Sequence, residues 1–311
     1  MGRRVSDPAS LHGSSLYGSR LKGIALICVT FLMFGCLDST AKYLNQFMDP
    51  LQATWTRYVS GFLLALILSN PLARPGLLRT RRLGLQIVRS MLMLGSTAFN
   101  FLALKYLQLD QTTSISFATP FLVAVLSGPI LGEWVGWRRW IAISVGFCGV
   151  LLVARPGFGG IHPAALWTVA AVFCYGFYFI TTRIVSRSDS SETTLFYSNI
   201  VGVVAMSCVV PFVWTMPQSW FLLVLMIAIG AFGTIGHYLL IIAHRMAPPS
   251  VLAPFMYSQL IWVIAIGYMV FDDVPSGWTL AGAAVVIASG LYLLHRERVQ
   301  GKPVPSAVGS E

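Results

Sequence analysis

Charged residues are scarce in this sequence, and their scarcity excludes an ordinary soluble domain. Only 10% of the 311 residues are Asp, Glu, Lys or Arg, whereas 56% are hydrophobic. Soluble domains have about 25% charged residues. Apolar windows of about 20 residues, the length that crosses a bilayer, follow one another along the chain. We therefore predict an all-α polytopic membrane protein. Ten such windows lie at residues 21–42, 51–70, 84–105, 111–131, 138–154, 163–183, 192–213, 219–243, 249–271 and 277–295.

Cysteines and catalytic motifs are scarce too. The five cysteines lie inside apolar windows, at spacings that fit neither a metal site nor a disulfide framework. The sequence contains no Gly-x-Ser-x-Gly elbow, no His-Glu-x-x-His helix and no phosphate-binding loop. These absences predict that the chain is not an enzyme and uses neither a metal nor a cofactor.

Basic residues outnumber acidic residues by 21 to 11, which gives a net charge of +10. They lie in short runs between apolar windows, a pattern that sets membrane orientation, so we expect no nucleic-acid binding. Most of them fall on the side that holds both termini, while the loops of the other side hold only Lys42, Lys105 and Arg155. We therefore predict that the polar segment 1–19 and a disordered polar tail, 296–311, are cytoplasmic.

Glycines indicate an internal repeat. A shift of 141 residues superposes six glycines on six others, against about one expected by chance. The predicted repeats are residues 20–155 and 162–295, with five helices each. Because five is odd, the second repeat must enter the membrane in the opposite orientation, and inverted repeats suit alternating access. Ser198 stands where Arg57 would recur, so a charge role of Arg57 is not duplicated. The glycine pairs are Gly18 and Gly159, Gly35 and Gly176, Gly61 and Gly202, Gly95 and Gly236, Gly136 and Gly277, and Gly149 and Gly290.

An acid and a base lie well inside the first two windows. Asp38 and Arg57 fall at similar depth on either side of a short turn, so a carboxylate–guanidinium pair could form between the two helices. A charge in hydrocarbon costs several kcal/mol unless it is paired or faces water. We interpret the two residues as part of a translocation path, with a purely structural ion pair as the alternative.

Polar and aromatic side chains recur in the other windows. Tyr175 and Tyr178 share one helix face, and they form either a packed aromatic face or a stacking wall for a flat solute. Asn100, His237 and Gln259 must each find a partner or water. Each alone could simply join helices, but together they favour a water-filled cavity. His237 could titrate near neutral pH, which makes it a candidate proton carrier.

Prolines and carboxylates mark the fourth and ninth windows. Pro120 and Pro254 lie inside these windows, where the missing N–H of proline should bend a helix. Glu133 and the pair Asp272–Asp273 end the same windows. We expect these carboxylates to be solvated or to pair with basic residues, and not to bind a substrate.

Four motifs form a characteristic set. They are Asp38-Ser39-Thr40-Ala41-Lys42, Trp55-Thr56-Arg57-Tyr58, Leu131-Gly132-Glu133 and Gly146-Phe147-Cys148-Gly149-Val150-Leu151-Leu152. The set resembles the drug/metabolite transporter superfamily, specifically its ten-helix EamA type, over roughly residues 20–295. The resemblance implies a secondary carrier of small organic solutes in a bacterial inner membrane, with a cavity between the repeats. Within the family, the chain is most similar to a proteobacterial group that includes riboflavin importers and, more distantly, S-adenosylmethionine importers.

The resulting hypothesis is a carrier of a small planar or zwitterionic metabolite that works by alternating access. Riboflavin uptake is the leading candidate, because an aromatic and amide-lined pocket suits an isoalloxazine ring. Export of amino acids or related zwitterions is the rival within transport, and a membrane scaffold or sensor is the rival outside it. Direction, coupling ion and homodimer formation stay open. The candidate substrate-binding residues are Asp38, Arg57, Asn100, Tyr175, Tyr178, His237 and Gln259.

Overall fold

A computed structural model describes residues 8–69, 79–107, 109–154, 162–271 and 277–300. These residues form helices joined by turns, with no strand among them. The helices are α1 (Pro8–Leu44), α2 (Pro50–Ser69), α3 (Leu83–Leu104), α4 (Leu109–Ser116), α5 (Thr119–Leu131), α6 (Trp137–Ala154), α7 (Ala165–Val185), α8 (Ser191–Ser207), α9 (Trp220–Met246), α10 (Pro249–Leu252), α11 (Ser258–Phe271) and α12 (Gly277–Gln300). The all-α prediction is confirmed for this part of the chain.

Five helices in the described ranges are long and apolar enough to cross a membrane. They are Ser19–Leu44, Leu83–Leu104, Ala165–Val185, Trp220–Met246 and Ala253–Phe271, and Thr119–Leu131 and Leu280–Tyr292 are shorter apolar helices. The ten predicted spans and the cytoplasmic termini stay predictions. At the chain ends, α1 begins at Pro8, within the predicted polar segment, and α12 extends to Gln300. Residues 1–7 and the rest of the predicted tail, 301–311, lie outside the described residues.

Local sequence signals explain several helix ends. Asp49 precedes Pro50 at the start of α2, and its Oδ1 accepts the N–H of Leu51 at 2.9 Å. Ser190 caps α8 in the same way, since its Oγ accepts the N–H of Thr193 at 3.0 Å. Gly132 ends α5 with a φ of 70°, a left-handed conformation that favours glycine.

The fourth helix of each half is broken, as the prolines predicted. Phe117 and Ala118 form a turn between α4 and α5, and Pro120 stands in the first turn of α5. In the second half, the 3₁₀ segment Ala253–Tyr257 separates α10 from α11 and contains Pro254 in its first turn. Proline has no N–H to continue the helical ladder, so the helix restarts at or near it.

The repeated glycines lie at equivalent helix crossings. For three glycine pairs, a neighbour of one glycine becomes a neighbour of the other after the 141-residue shift. Glycine lets two helices approach closely there because it has no side chain. The two halves therefore pack on each other with an approximate two-fold relation. The three sets are Gly35 beside Val263 with Gly176 beside Leu122, Gly61 beside Asn199 with Gly202 beside Tyr58, and Gly95 beside Cys174 with Gly236 beside Met33.

The equivalent helices α2 and α8 run in opposite directions. Trp55 near the start of α2 donates its indole N–H to Ser207 at the end of α8, at 3.0 Å. Further along, the rings of Phe62 and Phe196 lie 5.6 Å apart. Residue numbers therefore rise along α2 while they fall along α8. The crossings of α1 with α9 and of α3 with α7, which the shift also relates, are two of the three most extensive helix contacts, together with that of α6 with α12.

Polar side chains are buried and many large apolar side chains are exposed. Arg89 and Gln86 are fully buried, whereas Ile67 is 77% and Phe212 is 86% exposed. In water this distribution would leave apolar surface uncovered, but lipid is an apolar solvent for it. Polar side chains are therefore concentrated in the interior of the bundle.

Candidate functional site

A cavity lies at the centre of the bundle, with about 720 Å³ of empty space including its mouth. Of this space, about 90 Å³ is open to the centres of water-sized molecules. Helices of both halves line it, among them α1, α3 and α4 from the first half and α7, α9 and α11 from the second. Six of the seven predicted site residues reach it: Asp38, Arg57, Asn100, Tyr175, His237 and Gln259.

Asp38 is held by two amides from different halves. Its Oδ1 accepts the Nδ2–H of Asn100 at 2.9 Å, and its Oδ2 accepts the Nε2–H of Gln259 at 3.0 Å. Gln259 is the second residue of α11, so the break in the ninth predicted helix places its amide at this depth. Three residues that the sequence marked separately therefore form one cluster.

Arg57 reaches the same cavity from α2 and is only 3% exposed. Its guanidinium lies 4.5 Å from the ring centroid of Tyr58. Its Nε and Nη1 have no hydrogen-bond partner among the described residues. Nε and Nη1 therefore make no hydrogen bond to Asp38, whose two oxygens each accept one from an amide.

The two predicted tyrosines have different positions. Tyr175 lines the cavity, and its hydroxyl has no partner in the described part of the chain. Tyr178 is fully buried behind it and does not line the cavity, although their rings stack with centroids 5.7 Å apart. Phe34, which the sequence reading missed, lines the cavity with its ring 4.7 Å from that of His237. Tyr175 and Phe34 thus supply aromatic surface to the cavity, and Tyr178 packs against Tyr175 from behind.

His237 joins the cavity to a buried hydrogen-bond network. Its Nδ1 lies 2.9 Å from the hydroxyl of Tyr178. That hydroxyl accepts the Nη2–H of Arg89 at 3.1 Å, because a guanidinium can only donate. The tautomer of the His237 ring decides whether Nδ1 accepts the hydroxyl proton or donates to the hydroxyl oxygen.

Arg89 lies behind the cavity wall and is a further residue that sequence reasoning did not include. Its side chain is fully buried, and it donates to Thr182 Oγ1 at 2.9 Å, to Ser198 Oγ at 2.7 Å, to the carbonyl of Thr194 at 3.4 Å and to Tyr178. The available signal was its position inside the third apolar window. Ser198 occupies the position in α8 that Arg57 occupies in α2. A buried guanidinium therefore lies at both positions, although the one beside Ser198 belongs to Arg89 of α3.

Hydroxyl groups complete the lining. Four of the five donate to a carbonyl about one turn earlier, as Thr97 does to Met93 at 3.0 Å and Thr113 to Leu109 at 2.6 Å. Their oxygens remain able to accept from a solute or water. The spacing of three or four residues along α3 and α4 was the sequence signal. The lining hydroxyls are those of Ser96, Thr97, Thr113, Ser116 and Thr119.

Ionic and polar contacts close one end of the bundle, called here the Glu133 end, which holds the turns at residues 132–136 and 186–190. Glu133 pairs with Arg183 at 3.2 Å and with Arg187 at 3.0 Å, which confirms the expected pairing with basic residues. Asp272 and Asp273, the predicted counterparts, lie outside the described residues.

Asp189 at the Glu133 end accepts hydrogen bonds from Thr80, from Gln86 at 2.9 Å and from the N–H of Arg81 at 3.3 Å. Burial by itself would raise the pKa of this carboxyl, but the hydrogen bonds outweigh it and hold the pKa below its ordinary value. The carboxylate therefore ties the segment before α3 to the turn before α8.

The opposite end, called here the Asp49 end, holds the turns at residues 45–49 and 208–219. Gln52 exchanges hydrogen bonds with Thr215, donating to its carbonyl at 2.7 Å and accepting its N–H at 2.8 Å. Lys105 lies 3.9 Å from Asp49, and both side chains are partly exposed. This end has fewer ionic contacts in the described part of the chain than the Glu133 end.

Similar proteins and one solved structure share this architecture. The S-adenosylmethionine uptake transporter of Rickettsia conorii is 26% identical over 281 residues, which cover 89% of this chain and 94% of that protein. The riboflavin transporter of Vibrio cholerae is 25% identical over 287 residues, with the same coverage of 89% and 94%. A crystal structure at 15% identity superposes with a TM-score of 0.72 over 91% of this chain and 98% of the other, which shows the fold.

The model of the EamA-like transporter family matches residues 21–155 and again residues 162–295. The two matches coincide with the two halves that the glycine contacts relate, and the cavity lies between them. Polar groups inside an apolar shell, a duplicated architecture and two family matches agree with one another. The chain therefore belongs to the EamA-like transporter family and is a multi-pass membrane transporter.

Proposed function

We propose that this transporter is a secondary carrier that moves a small organic metabolite across the bacterial inner membrane by alternating access. The observation that carries the proposal is the polar cavity between the two halves. It contains a carboxylate, a guanidinium, amides and aromatic rings within one apolar shell. Such a constellation binds polar solutes inside a membrane, where each buried polar group needs a partner.

The arrangement of the halves supports alternating access. The equivalent helices α2 and α8 run antiparallel, as expected of an inverted repeat, and the fourth helix of each half is broken beside the cavity. In such carriers, one half rocks against the other around a central site. In the topology we propose, ten helices span the membrane, both termini are cytoplasmic and the Glu133 end faces the cytoplasm.

Riboflavin uptake is the first substrate hypothesis. The similar Vibrio protein is named a riboflavin transporter, and Phe34 and Tyr175 offer aromatic surface in the cavity. Uptake of S-adenosylmethionine is the parallel hypothesis from the Rickettsia relative. Export of amino acids or related zwitterions remains the second candidate, favoured by the opposite charges of Asp38 and Arg57 on one cavity.

The test is uptake of labelled riboflavin and of labelled S-adenosylmethionine into vesicles that contain the purified chain. We expect saturable uptake of one of them, abolished in Asp38→Ala at matched protein content. Asp38→Ala removes the acceptor shared by Asn100 and Gln259. A variant with Trp134→Ala, a 78% exposed residue outside the cavity, serves as the control.

Two other results would change the function. Flux that runs only from inside to outside, with amino acids as the solutes, would establish the export alternative. No flux of any tested solute by a folded and inserted protein would favour the scaffold or sensor.

A further inference from the structure

We propose that Arg57 is the anchor for an anionic group, most simply a carboxylate, on the solute that this cavity binds. This inference rests on the carrier function proposed above and specifies the chemical class of its ligand. It also distinguishes between the candidate substrates, because riboflavin has no carboxylate whereas amino-acid-like solutes have one.

Arg57 has unused donors in a place where unused donors are costly. Its side chain is 3% exposed, it lines the cavity, and its Nε and Nη1 find no acceptor among the described residues. Almost all buried polar groups in folded proteins have partners, so each exception requires a reason. A buried guanidinium that faces a cavity is explained if the ligand brings the acceptors.

The carboxylate that could have completed Arg57 has other partners. Both oxygens of Asp38 accept amide hydrogens, one from Asn100 and one from Gln259. The nearest ring, that of Tyr58, offers Arg57 only a cation–π contact at 4.5 Å. Tyr175 adds another hydroxyl without a partner to the same cavity wall. The donors of Arg57 therefore remain available to a ligand in the cavity.

The charges of the site also favour an anionic ligand. Arg57 and Asp38 are the two charged residues that line the described cavity. Directly behind the wall, Arg89 adds a second guanidinium whose four acceptors are all neutral oxygens. One cation in the wall and one behind it thus accompany one anion, and an anionic ligand group would balance the charges. Burial of the site strengthens this attraction relative to water.

The shape of the guanidinium selects among anions. Its planar fork matches the two oxygens of a carboxylate, and each of its two bidentate edges, Nε with Nη2 and Nη1 with Nη2, includes one of the donors without a partner. Gly233 permits this position, since a Cβ there would lie 2.8 Å from Nε. The aromatic side chains Phe34 and Tyr175 line the same cavity and would pack on an apolar or aromatic part of the ligand.

A matched pair of probes tests the proposal directly. Indole-3-propionate and indole-3-propionamide have the same ring and chain length and differ in the anionic group. We would measure the concentration of each that gives half of the maximal thermal stabilisation of the purified protein. In the wild type, the carboxylate should act at a concentration at least about tenfold below that of the amide, as expected for a charge-assisted hydrogen bond.

Variants assign the effect to Arg57. In Arg57→Gln, the two probes should act at the same concentration, whereas Arg57→Lys should keep part of the preference because it keeps the charge. The Arg57→Lys variant also keeps the test valid if Arg57→Gln does not fold. Arg138→Gln is the control, since it removes an equal charge from an exposed position over Trp137.

Three outcomes would overturn the proposal: equal action of the two probes on the wild type, a carboxylate preference that survives in Arg57→Gln, or no stabilisation by either probe. The vesicle assay separates this failure from failure of the carrier function. Riboflavin flux that Arg57→Gln leaves intact would refute the anion anchor and keep the carrier. A carboxylate preference without flux of any solute would support the anion anchor and refute the carrier function.

Discussion

At the scale of single residues, two buried guanidiniums have opposite environments. Arg89 donates to four acceptors on α7 and α8, whereas Arg57 leaves Nε and Nη1 without a partner beside a cavity. A satisfied network stabilises a helix bundle, while unsatisfied donors at a cavity are available to a ligand. We therefore expect Arg89 to stabilise the bundle, and the ligand contact proposed for Arg57 would account for its donors without partners.

Substitution by lysine should separate these two roles. A lysine ammonium cannot reach all four acceptors of Arg89, and interhelical hydrogen bonds in membrane proteins contribute about 0.6 kcal/mol each. We expect Arg89→Lys to lower the free energy of unfolding by about 2 kcal/mol, and Arg57→Lys to change it by less than about 0.5 kcal/mol. Reversible unfolding in mixed micelles measures both values. Equal losses in the two variants would contradict the assignment.

The two tyrosines of α7 should differ in a similar way. Tyr178→Phe removes the hydroxyl that Arg89 and His237 share, and should cost about 1–3 kcal/mol because both partners are left buried. Tyr175→Phe removes a hydroxyl without a partner, and should leave stability unchanged while weakening ligand binding. Melting curves with and without ligand distinguish the two effects. A Tyr178→Phe variant as stable as the wild type would contradict the role of this hydroxyl.

At the scale of helices, close crossings at glycine hold the two halves together. A Cβ at Gly202 of α8 would collide with the ring of Tyr58, and a Cβ at Gly236 of α9 would lie 2.7 Å from the ring of Phe34. Neither ring can move freely, since Tyr58 is fully buried and Phe34 is 7% exposed. These repeated glycines thus lie where helices approach each other closely.

Alanine substitution at these glycines tests the crossings. Gly202→Ala should destabilise the protein by about 1–3 kcal/mol, the usual range for overpacking. Gly84→Ala in α3 is the matched control, because nothing lies within 4 Å of its Cβ position. The control should be neutral or slightly stabilising, since alanine favours helix over glycine. The folded fraction after extraction reports both effects, and equal behaviour of the two variants would count against close packing at Gly202.

At the scale of the whole molecule, the two ends of the bundle are closed by different chemistry. The Glu133 end uses the ion pairs of Glu133 and the buried carboxylate of Asp189, whereas the Asp49 end uses the neutral Gln52–Thr215 contact and one long ion pair. Closure of the Glu133 end should therefore depend more on pH than closure of the Asp49 end.

The pH dependence at Asp189 has a definite sign. Its pKa is lower in the folded protein than in an unfolded chain, so the ionised carboxylate stabilises the fold above the unfolded pKa, and this contribution is lost as the pH falls through the folded pKa. We expect Asp189→Asn to be less stable than the wild type by about 1–3 kcal/mol at pH 7. The difference should shrink below about pH 4. Melting curves from pH 7 to pH 3 measure it, and a difference independent of pH would exclude this role of the charge.

Much of this architecture could be predicted from the sequence because the signals are local or periodic. Apolar windows indicated helices, prolines indicated the breaks beside Pro120 and Pro254, and the 141-residue shift indicated the duplicated halves. Six of the seven candidate residues line the cavity, because a polar side chain in an apolar helix has few alternatives to a partner or water. Tyr178 was placed in the cavity from its spacing to Tyr175, but the turn of α7 directs it behind the wall.

The sequence by itself determined that this chain is a duplicated helical membrane protein with Asp38 and Arg57 inside it, since hydropathy and repeats follow from residue order alone. Only the tertiary structure decided which partners these charges have. Asp38 meets Asn100 from α3 and Gln259 from α11, and Arg89 meets acceptors on α7 and α8. Such contacts join residues as many as 221 positions apart. They depend on how the helices cross, and no local pattern in the sequence specifies that geometry.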